Sequence, residues 1–209
     1  RRTSGARRQI LPRLRRSAVR PRLMTESGSF GDFLFQRGVV KKGHFLRLSG
    51  RHADYYIQCA RLFEDAETGR RMGEALAALC RDWGAHLVLS AAVGGILPGY
   101  ETARALDLPH FYCEKRDGVL TLRRDFAIPE GSRVLLVEDE VYTGQSIMEM
   151  REIVRALGAQ VAGTVCIVDK SMGRAPVPPP FASLYAIPVK SFQPAACPLC
   201  EAGVPLVNQ

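Results

Sequence analysis

No apolar run in the 209-residue sequence approaches the roughly 18–20 residues that a membrane-spanning helix needs. Apolar stretches such as Val134–Val137 have the length of a strand. Two nucleotide-binding signatures are also missing. No Gly-Lys-Ser/Thr completes a Walker-type phosphate loop, and no G-x-G-x-x-G marks a dinucleotide site. Acids are absent from residues 1–23, which hold nine of the 29 basic residues, all arginine. Without them, 20 basic residues face 21 acidic ones, so the formal charge of +8 does not describe the rest of the chain. A near-neutral body with no helix-turn-helix pattern argues against a nucleic-acid binder. The arginine-rich head is expected to be a disordered leader ahead of a natural start at Met24, because self-repelling charge with little to bury does not fold. A transit peptide and a basic arm are its other readings.

A second set of cysteines or histidines beside Cys197-Pro-Leu-Cys200 is lacking as well. His44, His52, His86 and His110 all lie far upstream, so the pair reads as an unmetallated terminal turn. Cys59, Cys80, Cys113 and Cys166 sit in apolar or helical segments and read as small buried hydrophobes in a reducing compartment.

What is present is an alternation of strands and helices. Ser29–Val40 spaces Phe30, Phe33, Leu34 and Val40 as a short amphipathic helix, and Phe45–Gln58 reads as a hairpin about Ser49-Gly50. Residues 24–62, with the carboxyl-terminal tail, form a small hood on a domain spanning 24–209. Ala66–Trp83 carries one apolar stripe, Met72, Leu76, Leu79, Cys80 and Trp83, and predicts a helix. Strands are expected at His86–Ser90, His110–Cys113, Arg133–Val137 and Val161–Val168, with helices at Gly95–Leu106 and Ser146–Leu157. That order predicts an α/β fold, a parallel sheet flanked by helices. Glu114–Glu130 reads as a basic hairpin or loop, and Ala175–Pro180 is too rich in proline for regular structure.

The chemistry gathers in Val134-Leu-Leu-Val-Glu-Asp-Glu-Val-Tyr-Thr-Gly-Gln-Ser146. A buried strand ends in Glu138 and Asp139, and a short loop then opens a helix. Ligands of open α/β sheets bind at the carboxyl ends of strands, and free N–H groups at a helix start attract anions. A phosphate in the loop and a polyol against the acids would satisfy both halves. The plainer reading makes Ser146 a helix cap and the acids a solvated turn.

This stretch resembles the phosphoribosyl-pyrophosphate signature of type I phosphoribosyltransferases, in particular the bacterial branch of orotate phosphoribosyltransferases. The resemblance implies that Glu138 and Asp139 hold the ribose hydroxyls and that Tyr142, Thr143, Gly144, Gln145 and Ser146 cradle the 5-phosphate. Ser90–Ile96 is similar to the family's pyrophosphate loop, which gives that role to Ala92, Val93, Gly94 and Gly95. Gly43–Tyr56 resembles the hood over the base, implicating Ser49, Gly50, Arg51 and Tyr56. The basic residues Lys115, Arg116, Arg123 and Arg124 resemble the flexible catalytic loop, and Lys170 occupies the place of a base-pairing arginine. The ending Cys197–Leu206 is similar to that branch's tail. The family further implies Mg2+ carried with phosphoribosyl pyrophosphate and not ligated directly by side chains, a homodimer and a cytoplasmic enzyme.

Several positions depart from the pattern. Tyr142 replaces a small Thr, Gln145 a glycine and Lys170 an arginine; Glu140 adds an acid, Leu48 stands where a polar residue or lysine is common, and Gly94 replaces a lysine of other branches. A Tyr142 ring pointing inward would narrow the base pocket or stack on a flat base. The ribose acids are intact, so the changes leave open orotate itself, another base, or a regulator that senses phosphoribosyl pyrophosphate.

Overall fold

The computed structural model describes residues 29–208; the arginine-rich segment 1–23 lies outside them. A six-stranded sheet forms the centre. Its strands are β3 (Leu87–Ala91), β4 (His110–Arg116), β5 (Val119–Leu122), β6 (Arg133–Val141), β7 (Gln160–Asp169) and β8 (Phe181–Ala186), in the order β5-β4-β3-β6-β7-β8. All neighbours are parallel except β4 and β5, so the sheet is mixed at one edge. Val134, Leu135, Leu136 and Val137 of β6 are fully buried because helices cover both faces, as a parallel sheet requires.

Helix α2 (Ala66–Cys80) begins where the Asp65 carboxylate accepts from the Thr68 N–H. It packs Met72, Leu76 and Cys80 into the core shared with Leu135, Val137, Val165 and Ile167. On the other face, α4 (Gln145–Ala156) seats Ile147, Met150 and Val154 against Leu89, Leu136 and Cys166. Helix α3 (Ile96–Leu106) links β3 to β4. No helix among the described residues is long and apolar enough to cross a membrane.

The hood is a separate antiparallel sheet. β1 (Val40–Leu46) pairs with β2 (His52–Ile57), and β2 with the short β9 (Ser191–Phe192). The first helix, α1 (Phe30–Gln36), is shorter than its apolar spacing predicts. The chain turns at Arg37 and Gly38, and the buried Val39 and Val40 enter the hood instead. A short helix, α5 (Pro198–Glu201), precedes the tail, whose Val207 bridges to Phe45 of β1.

One further boundary differs from expectation. β6 runs through Val141, so Glu138 and Asp139 lie within a paired strand rather than beyond its end; Glu140 still pairs with Val168. Of the two readings of the basic segment, the hairpin is the one adopted over residues 115–122. Lys115 and Arg116 complete β4, and Asp117-Gly118, both at positive φ, turn the chain into β5.

Candidate active site

The carboxyl end of β6 sets three acids side by side. Glu138 is 5% exposed, and its Oε1 has no hydrogen-bond partner. Asp139 Oδ1 accepts from the Glu140 N–H at 2.8 Å. Burial, then the charge of Glu140, pushes the Asp139 carboxyl up to about 6; burial and Asp139 together push Glu138 upward. A buried acid with an unused oxygen is ready to accept from a ligand hydroxyl.

Asp139 in turn explains Gly94. A Cβ at position 94 would lie 2.3 Å from Asp139 Oδ2, so no side chain fits while that carboxylate keeps its place. A lysine there, as in other branches, would require Asp139 to turn away. Ala92, Val93, Gly94 and Gly95 form the turn from β3 into α3, with Val93 and Gly94 exposed and Gly95 capping the helix.

Beyond Val141 the chain loops into α4. Thr143 Oγ1 accepts from the Gln145 N–H at 3.3 Å, and Gly144 caps the helix at φ +78°, a left-handed conformation that favours glycine. Ser146 therefore lies inside the helix rather than capping it. The Gln145 side chain donates back to Glu149 at 2.8 Å, which leaves the loop backbone uncovered despite the missing glycine. Glu138, Glu140, Lys170 and residues 141–147 line a recess of about 250 Å3 beneath Arg47.

A larger cleft of about 550 Å3 continues between this recess and the hood. Ser49, Arg51, Tyr55 and Tyr56 supply one wall, and Tyr142, Thr143, Glu140 and Lys170 the other. Tyr142 does point inward. Its ring lies against the Arg47 guanidinium, 4.6 Å from centroid to carbon, so it forms a wall without blocking the cleft. The Tyr142 hydroxyl has no hydrogen-bond partner among the described residues, so Tyr142→Phe should leave kinetics nearly unchanged. Tyr142→Ala should release Arg47 and raise the KM of whatever substrate fills this cleft by roughly 2–5-fold, the worth of an exposed cation–π contact. An unchanged KM in the alanine variant would show that the stacking does nothing for binding.

Two of the departures from the family pattern turn out to be partners. Lys170 Nζ lies 2.7 Å from Glu140 Oε1, with side chains 9% and 28% exposed. The added acid and the altered cation form one ion pair at the cleft floor.

The remaining assigned residues are less uniformly placed. Arg51 lines the cleft, but its Nε and Nη2 donate to the Ser191 hydroxyl and carbonyl, so it ties the hood turn to strand β9 of the same sheet. Gly50 is at the exposed turn with Leu48, which is fully solvent-exposed. Lys115, Arg116, Arg123 and Arg124 line neither cleft of their own chain. Arg124 is occupied by Glu114, donating to both carboxylate oxygens at 2.9 and 3.0 Å, which removes it as a free cation. Arg47, Val189 and Ser191 also line the larger cleft. Only Arg47 had a signal in the sequence, as a cation two residues before the hood turn.

The terminal cysteines need the larger correction. His44 and His52 are adjacent across β1 and β2, and the tail brings Cys197 and Cys200 against them. Residues more than 140 positions apart in sequence thus form one cluster, which is not an isolated turn.

The parallel sheet ends in buried acids beside a loop that opens a helix, with a hood across the cleft. Residues 64–192 match the model of the phosphoribosyl transferase domain, and the chain belongs to the phosphoribosyltransferase family. It is 41% identical to the orotate phosphoribosyltransferase of Caldanaerobacter subterraneus subsp. tengcongensis over 81% of this chain and 90% of that one. With the Thermotoga maritima orotate phosphoribosyltransferase it shares 38% identity, over 83% of this chain and 93% of that one. Among solved structures, Aeropyrum pernix orotate phosphoribosyltransferase superposes with a TM-score of 0.62 at 26% identity, covering 76% of this chain and 94% of that one.

Proposed function

We propose that this phosphoribosyltransferase moves the 5-phosphoribosyl group from phosphoribosyl pyrophosphate to orotate, giving orotidine 5-phosphate and pyrophosphate. The observation that carries the choice of base is the charge of the cleft. Arg47, Arg51 and Lys170 face it against the single acid Glu140, which suits an anionic pyrimidine carboxylate better than a neutral base. The relatives named above act on orotate, which supports the same reading.

In the reaction a ring nitrogen bonds to C1 of the ribose as the bond from C1 to the pyrophosphate oxygen breaks, through an oxocarbenium-like transition state. Glu138 and Asp139 accept from the ribose hydroxyls and hold the ring still. The loop from Tyr142 to Ser146 takes the 5-phosphate through backbone N–H groups at the start of α4. In the Ala92–Gly95 turn the N–H groups of Val93 and Gly94 are offered to the pyrophosphate, those of Ala92 and Gly95 being taken by the Cys113 and Ala91 carbonyls, and the hood excludes water above the base.

When bound with the pyrophosphate, magnesium would neutralise charge on the leaving group. The buried, unpartnered Glu138 Oε1 and the Asp139 carboxylate fit this arrangement. They would hold the ion through the ribose hydroxyls, not by direct ligation. The enzyme works as a homodimer in the cytoplasm, where its buried free thiols stay reduced. In the dimer, Lys115 and Arg116 on the β4–β5 arm reach the partner's departing pyrophosphate.

Pyrophosphate release from a panel of bases with phosphoribosyl pyrophosphate and magnesium tests the choice. Orotate should turn over and neutral bases should not; turnover with another base alone would overturn the assignment. Replacing Lys115 and Arg116 by Ala should cut turnover about 10-fold or more with little change in melting temperature, since exposed charges add little to folding. A sharp fall in melting with an unchanged rate would make the arm structural.

A further inference from the structure

We infer that His44, His52, Cys197 and Cys200 bind one structural zinc ion that clamps the carboxyl-terminal tail to the hood. The four ligand atoms all lie within 4.8 Å of one another. Cys197 Sγ is 3.4 Å from His44 Nε2, and Cys200 Sγ is 3.4 Å from His52 Nδ1 and 3.8 Å from His44 Nε2. Tetrahedral zinc with bonds of ~2.0–2.3 Å sets its ligands roughly 3.3–3.8 Å apart, so these separations already suit it. The two imidazole nitrogens, at 2.8 Å, must part by about half an ångström.

The tautomer is independently fixed. His44 Nδ1 lies 2.8 Å from the Val204 carbonyl, which can only accept, so that nitrogen carries the proton. Nε2 of the neutral ring then presents its lone pair to the centre of the cluster. A metal-bound histidine is commonly held by just such a bond to a backbone carbonyl. His44, His52 and Cys197 are nearly inaccessible to solvent, and Cys200 closes the cluster at the surface. Two thiolates with two imidazoles select zinc over harder cations. On binding, the two thiols release their protons to solvent.

The site sits at the root of the base-covering turn. His44 and His52 flank residues 47–51, and the tail beyond Cys200 is tied to the same strand, with Val207 N–H donating to the His44 carbonyl and Leu46 N–H to the Val207 carbonyl. Zinc therefore fixes both ends of the turn that carries Arg47 and Arg51. This consequence rests on the base site proposed above, whereas the metal site itself does not.

The test uses the untagged full chain, purified without chelator. Metal analysis should find about one zinc per chain, and cobalt replacement should give tetrahedral visible bands with a thiolate-to-cobalt absorption. Cys197→Ser and Cys200→Ser should each lose the thiolate signal in proportion. Wild-type protein with reduced thiols that holds neither zinc nor cobalt would overturn the site, whatever the variants do, and so would a Cys197–Cys200 disulfide in the native chain. Stripping zinc should raise the KM for orotate several-fold and that for phosphoribosyl pyrophosphate little. A zinc-binding chain whose KM for orotate is indifferent to the metal would overturn the clamping role alone.

Discussion

Replacing Asp139 by Asn is expected to lower turnover by about 10²–10³ and, above pH 6, to make the protein more stable than the natural chain. The loss of rate follows from removing a charged acceptor beside the ribose. The gain in stability follows from linkage. Burial and the neighbouring Glu140 raise the Asp139 carboxyl from 3.8 to about 6 in the folded chain. Stability associated with the neutral acid is fully present below pH 3.8 and is lost as pH rises through about 6. At pH 7.5 the ionised carboxylate therefore costs the ligand-free fold, on the order of 1–3 kcal/mol after allowing for its partial exposure. Asn keeps the oxygen that accepts from the Glu140 N–H and carries no charge, so that cost disappears. Melting curves at pH 4 and pH 7.5 check it: the variant should match the wild type in acid and melt several degrees higher at pH 7.5. Retained turnover, or a lower melting point at pH 7.5, would show that Asp139 is not a functional acid held against the preference of the fold.

The sequence made the central sheet readable because β3, β6 and β7 are buried on both faces and so appear as continuous apolar runs. The same logic hid the end of β6. Its polarity changes at Glu138, yet backbone pairing with β7 continues to Val141, and pairing leaves no mark on side-chain type. β8 escaped notice for a related reason: it is an edge strand with every residue at least partly exposed, following a proline-rich segment. The loop from Tyr142 to Ser146 was legible as a local motif. The Cys-His cluster was not, because its spacing exists only after β1 pairs with β2 and the tail folds back. The Lys170–Glu140 pair was visible as two separate oddities, 30 residues apart, that parallel pairing of β6 with β7 brings together.

That pair supports the last expectation. Lys170→Met should destabilise the chain by roughly 2–4 kcal/mol, somewhat below the usual loss for breaking a fully buried ion pair, because Glu140 keeps some contact with water. The damage comes from what remains. Glu140 would stand next to Glu138 and Asp139 without its cation, and its Oε2 already has no partner. Glu140→Gln in the same chain should restore most of the loss, since the stranded charge is then gone. Lys170→Arg should keep the pair and hold stability near wild type. The effect also reaches the ribose site. The Lys170 charge lowers the Asp139 carboxyl, so its removal should move the acid limb of the kcat/KM profile to higher pH. Urea unfolding of the two single variants and the double variant, with a pH profile of Lys170→Met, measures both effects. Additive losses in the double variant together with an unmoved acid limb would mean that Lys170 and Glu140 act independently, and that the two departures from the family pattern did not arise as one exchange.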